Sequence, residues 1–326
     1  MKKIQQEDIH IIGRNSDLTE KGIAKALTEN VYNDRESWQK FFQILFISLG
    51  IGFTVSGIVF FFAYNWADLH RFVKIGMAEG LLIITTIFAL FPKINSRIRN
   101  IILMGSAVLA GVLFAVYGQI YQTGANAYDF FFGWTVFVTL WVAVSNFAPL
   151  WLLYLILINT TFILYSQQVA KDWSEIFILT VLFMLNAVVL IAATVLSKFK
   201  KEISVPNWFL NTVGLSGVFY ATSGIVIGII DRYDNASFSV LILSTTALFA
   251  LGVWHGLKTQ KMFCLAVIPF SVIVVVSTLL IKAVFNALDE AGAMMLLLLI
   301  CLFVIASVTL TIIGLMKLQK KWKNEK

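Results

Sequence analysis

The sequence predicts an all-α fold: a polytopic membrane bundle of about ten transmembrane helices behind a short soluble helical head. Three observations predict it. Hydrophobic residues make up 59% of the 326 residues and charged residues only 13%, against about 25% charged in a soluble domain, so too little polar side chain exists to coat a water-exposed surface. The apolar residues gather into runs of about 20, the length that crosses a hydrocarbon core of about 30 Å. Lys and Arg fall in short clusters between those runs, as membrane proteins place them. A soluble enzyme, a nucleic-acid-binding domain, a disordered chain and a disulfide scaffold are excluded. The lipid bilayer is the expected partner, and the net charge of +7 implies no nucleic acid.

Residues 1–40 read as a cytoplasmic helical segment. Ile23, Leu27 and Val31 recur at helical spacing behind Thr19, a suitable N-cap with Glu20 in the first turn. A second helix starts at Asn33 or Asp34 and runs into the first span. Two short helices bury little core, so this head suits regulation or the docking of another membrane or cytoplasmic protein. The bundle, 41–316, divides into spans 42–64, 73–91, 100–119, 130–147, 149–166, 175–197, 208–230, 238–257, 262–284 and 292–316, followed by a basic tail, 317–326. The fourth and fifth runs are separated at Asn146-Phe147-Ala148-Pro149, because Pro disfavours helix at the residue before it. As one helix, 130–166 would rise about 55 Å, too long for the bilayer.

Placing the N-terminus inside puts 20 of the 25 Lys and Arg on the inner side and five on the outer, so both termini are expected in the cytosol. Small residues four apart mark packing stripes at Ser48, Gly52 and Ser56, at Gly76 and Gly80, at Ala107, Gly111 and Ala115, and at Gly224 and Gly228. They predict spans one, two, three and seven in the interior. The pattern of Gly111, Ala115 and Gly118 returns 106 residues later as Gly217, Ala221 and Gly224. This is either a parallel repeat, an arrangement transporters use, or a coincidence of packing faces.

Cys264 and Cys301 lie inside apolar runs, and His10, His70 and His255 are scattered. No metal site, cofactor or catalytic residue is therefore expected. The chain also lacks HExxH, GxSxG and a Gly-Lys-Ser/Thr phosphate loop. Glu79 is the one carboxylate clearly inside a span. Burying it costs several kcal/mol, so it is either an ion- or proton-coupling residue or hydrogen-bonded packing between Gly76 and Gly80. Two polar segments lie on the expected outer face. Tyr64-Asn65-Trp66-Ala67-Asp68-Leu69 precedes Arg71 and Lys74, with Asn65 placed to end span one and Asp68 to cap span two. Gly118 to Asp129 gathers Gln119, Tyr121, Gln122, Thr123 and Asp129 without a basic residue, and its glycines permit non-helical backbone. Aromatic rings beside amides and hydroxyls can hold a neutral polar ligand; the same residues also suit an interfacial aromatic belt with a capped loop.

GIVFFFAYNWADLHRFVK (Gly57 to Lys74) and GQIYQTGANAYDFFFGW (Gly118 to Trp134) resemble the signature stretches of the bacterial multi-pass membrane family named domain of unknown function 2157. The resemblance covers roughly residues 15–150. It implies a membrane fold and location without a mechanism, and it draws attention to Asn65, Trp66, Lys74, Gln119, Tyr121, Gln122 and Thr123. The expectation is a multi-pass protein of the bacterial inner membrane that handles or senses a small polar or lipid-linked ligand from the extracytoplasmic face. A non-catalytic subunit or scaffold docking through residues 1–40, and an intramembrane enzyme on a lipid-linked substrate, are the alternatives.

Overall fold

The structure is a computed structural model that describes residues 9, 12, 16, 19–30, 35–64, 69–91, 94–121, 124, 126–199, 205–231, 236–287 and 290–324. These residues form helices α1 (Glu20–Asn30), α2 (Arg35–Tyr64), α3 (Arg71–Leu90), α4 (Ser96–Tyr121), α5 (Ala127–Val144), α6 (Ala148–Gln168), α7 (Glu175–Phe199), α8 (Asn207–Ile230), α9 (Ala236–Thr259), α10 (Met262–Ala287) and α11 (Glu290–Asn324). Among the described residues no strand occurs, and ten helices are long and apolar enough to cross a membrane. The fold is thus an all-α polytopic bundle. Backbone N–H and C=O groups cannot bond to lipid, so an apolar chain of this kind must satisfy them within its own helices.

Local chemistry sets the helix ends. The Thr19 hydroxyl accepts from the Gly22 N–H at 3.3 Å and opens α1. Asn95 Oδ1 accepts from Arg97 N–H at 3.0 Å at the start of α4. Ser174 Oγ accepts from Phe177 N–H at 3.2 Å at the start of α7. The break between α5 and α6 falls at residues 145–147, and Pro149 sits in the first turn of α6, where its missing N–H costs nothing. Pro269 lies inside α10. Residues 31–34 are not described, and from Arg35 one helix continues into the first apolar run.

The chain divides into two compact units, Met1–Thr123 and Gly124–Lys326. In the first, α4 is central and packs against both α3 and α2. Ser106, Ala107 and Ala110 on α4 are completely buried. No described side chain of α2 is buried, and Ser48, Gly52 and Ser56 are exposed, which corrects the expectation that this stripe lies inside. Instead α2 meets α4 through Ile51, whose Cγ2 would lie 3.3 Å from a Cβ added at Gly105. Gly76 is exposed and Gly80 half-buried, while Ile75, Ala78 and Leu82 carry the packed face of α3.

In the second unit α8 is central, touching α6, α7, α9 and α10, while α5 packs on α6 and α11 on α10. Gly217, Ala221, Gly224 and Gly228 of α8 are all buried. A Cβ at Gly224 would come within 2.7 Å of Leu241 and 3.3 Å of Leu179, and one at Gly228 would run into the Phe238 ring. With hydrogen as the side chain at both positions, α9 comes this close without displacing Leu241, Leu179 or Phe238. The packing order of spans one, two and three (α2 and α3 on α4) matches that of spans five, six and seven (α6 and α7 on α8). The matching small residues do not share an environment, since Ala115 and Gly118 are exposed whereas Ala221 and Gly224 are buried.

Candidate functional site

In the first unit the α3–α4 pair brings together three polar side chains. Glu79 stands eight residues into α3, about 12 Å along its axis. Tyr117 donates its phenol hydrogen to Glu79 Oε1 at 2.9 Å, which fixes the two helices as antiparallel neighbours at that level. Tyr121, one turn further along α4, stacks on Tyr117 with ring centroids 5.7 Å apart and planes 17° apart. Both rings and the Glu79 carboxyl keep accessible surface. The result is an aromatic ledge ending in a carboxyl, on helices that are otherwise apolar.

Lys74 is buried, at 9% exposure. On α3 it borders the packed face of Ile75, Ala78 and Leu82 on one side, and Glu79 borders it on the other, about 140° away around the helix. The helix thus separates the cation from the carboxyl. Gln119 is exposed; it stands two residues from both tyrosines, and residues two apart on a helix do not face each other, so it is not part of the ledge. Asn65, Trp66, Gln122 and Thr123, with the expected cap Asp68, lie outside the described residues. Gly124 takes the left-handed conformation (φ 62°), the non-helical backbone anticipated for this segment, whereas Gly118 is helical.

Asp129 belongs to the second unit and closes the first turn of α5, where its Oδ2 accepts from the Asn126 N–H at 3.0 Å. The next helix holds the same turn: Tyr128 N–H donates to Gln168 Oε1 at 3.0 Å, and the Tyr128 ring meets Tyr165 edge-on at 5.3 Å. Asp129, one of the expected ligand-lining residues, thus carries a capping bond at the start of α5.

The sequence reading missed Tyr117, which lies one residue before the polar segment that begins at Gly118. A phenol inside a span, at the level of the only intramembrane carboxylate on the preceding helix, was the available signal. It also missed a buried amide network in the second unit. Asn186 on α7, fully buried, donates to Asn159 Oδ1 on α6 at 3.1 Å and to its own Leu182 carbonyl at 2.8 Å. Its Oδ1 accepts from the Ser216 hydroxyl on α8 at 3.2 Å. Thr222 and Ser271 join α8 to α10 at 2.5 Å, and Thr139 and Tyr154 join α5 to α6 at 3.0 Å. These satisfied pairs are the hydrogen-bonding glue of helices in lipid.

Residues 18–151 match the family model described as a predicted membrane protein, DUF2157. The match spans α1 to α5 and the start of α6, and it covers both signature stretches, Gly57 to Lys74 and Gly118 to Trp134. No curated protein and no solved structure matches the chain.

Proposed function

We propose that this membrane protein handles or senses a small polar or lipid-linked ligand from the extracytoplasmic face, and that the α3–α4 pair is its ligand-handling element. The observation that carries the reading is the Tyr117–Glu79 hydrogen bond. A carboxyl kept inside an apolar span is expensive, and here it is held by one phenol and left accessible instead of being enclosed. The stacked Tyr121 ring supplies a flat apolar surface beside it, and an aromatic face next to hydrogen-bonding groups is what a sugar-like ligand uses. The residue carrying the coupling role is Glu79, since a ligand that displaces Tyr117 would change what the carboxyl is bonded to. The bacterial inner membrane, with both termini in the cytosol, is the setting that the basic-residue asymmetry favours.

Thermal stabilisation of the detergent-solubilised protein by a panel of neutral sugars and lipid-linked sugars tests this reading. A binding sugar should stabilise the natural protein and leave Tyr121→Ala and Glu79→Gln unmoved. A panel that stabilises none of the three proteins, or all three alike, would reject the site. In cells, Tyr121→Ala and Glu79→Gln should abolish the phenotype at unchanged membrane abundance. Deleting residues 1–35 should leave it intact, and loss of a co-purifying partner instead would favour the scaffold.

A further inference from the structure

The second unit contains a cavity of about 350 Å³ between α7, α8, α9 and α10, within the range of small-molecule sites. Its origin lies in the glycines. At one end of α9, Gly224 and Gly228 of α8 let Leu241 and Phe238 come into near contact, and Leu179 of α7 closes on the same place. At the other end the glycines belong to α9: a Cβ at Gly252 would lie 2.9 Å from Ile268, and one at Gly256 3.0 Å from Leu265, both on α10. The two ends of α9 are thus drawn to different neighbours. The cavity lies beyond the cluster of Ile176, Phe183 and Leu241, along α7 from Phe183 to Val195 and along α9 from Leu248 to His255. Ile191 and Val195 on α7 and Leu251 and Trp254 on α9 line it and are also exposed at the protein's apolar surface, so it opens sideways to lipid.

The lining is apolar except for Asn186, Thr194, Asn211, His255, Lys261 and Cys264, and it contains no carboxylate. The Asn211 amide has no hydrogen-bond partner among the described residues. Lys261 is held at the cavity's end by its neighbours. Gln260 takes a left-handed conformation (φ 54°), the Lys261 N–H bonds back to the Gly256 carbonyl at 3.0 Å, and Lys261 Nζ donates to Asn207 Oδ1 at 3.1 Å. Its charge meets a neutral amide there, so an anion beside it would gain a charge-assisted hydrogen bond. Along α8 the lining runs from Leu210 to Val218, about 12 Å of helix.

We propose that this cavity binds a single-chain anionic amphiphile taken from the bilayer, with its head at Lys261 and Asn211 and its chain along Leu190, Val213 and Val267. The site is separate from the α3–α4 ledge and does not depend on it.

Full-length protein in nanodiscs of zwitterionic lipid, photolabelled with a diazirine-bearing fatty acid and mapped by peptide mass spectrometry, tests the assignment. Saturable label should fall on the lining segments of α7 to α10, and laurate should compete about tenfold better than the uncharged dodecanol. Lys261→Gln should erase that preference while label persists, and Ala187→Phe, which fills the cavity, should erase the label. Label that does not saturate, that falls elsewhere, or that laurate and dodecanol compete equally overturns the proposal. Should Ala187→Phe fail to fold, the competition and Lys261→Gln arms decide alone.

Discussion

One polar side chain in each unit, Asn186 and Glu79, shows two opposite ways of keeping a polar group among apolar helices. In Gly124–Lys326 the amide of Asn186 is wholly buried and bonded to Asn159, Leu182 and Ser216 across three helices. In Met1–Thr123 the Glu79 carboxyl has one bond among the described residues, from Tyr117, and Glu79 keeps accessible surface. The helix packing follows the same division. Gly224 and Gly228 leave no room for a methyl group, whereas Gly50, Gly52, Gly76 and Gly80 have nothing within 4 Å of an added Cβ. Polar groups in lipid hold helices together when saturated and invite a ligand when left short of partners. The Asn186 network shows the first case and the α3–α4 pair the second.

Overpacking should break the contrast most sharply. Gly224→Leu drives a side chain into Leu241 and Leu179 and should cost about 3 kcal/mol, seen as loss of the monodisperse peak in size-exclusion chromatography. Gly52→Leu, its counterpart in open space, should leave that peak unchanged. Equal effects would mean that the exposed stripe of α2 is packed in the membrane. Next, Asn186→Leu strips Asn159 and Ser216 of their shared partner and should cost about 2 kcal/mol in detergent-driven unfolding. Tyr117→Phe removes the phenol's bond to Glu79 and should cost about 1 kcal/mol by the same measurement. Glu79→Gln should cost less, because an amide oxygen still accepts from Tyr117; a larger loss in Glu79→Gln than in Asn186→Leu would reverse the roles assigned to the two units. Smallest of all, Thr19→Ala should cost about 0.5–1 kcal/mol of α1 stability, read as faster hydrogen exchange at Gly22 and Ile23 with no change in the spans.

Much of the fold was legible because the bilayer dictates it. An apolar run of about 20 residues must be a helix, and Pro149 marks the one division that hydropathy alone left open. What stayed hidden was pairing. Asn159, Asn186 and Ser216 sit on three different helices, and a helix's own periodicity says nothing about which neighbour it will meet or at what register. The small-residue stripes show the same limit: Gly224 and Gly228 are buried while Ser48, Gly52 and Ser56 are exposed, since a groove packs only if a complementary ridge arrives. At the candidate site Glu79 was legible as an isolated carboxylate. Tyr117 was not, because a tyrosine near a span's end reads equally well as a belt residue. Asp129 was legible as a polar group, and its capping bond emerged only with the fold of Asn126 beside it.

Pro269 has no N–H to offer the carbonyl of Leu265, so the ladder of α10 lacks a rung. The turns ahead of that gap carry Cys264 and Val267, which form part of the cavity wall. That wall of the chamber is therefore held by one backbone bond fewer than its neighbours, and a helix bends where its ladder lacks a bond.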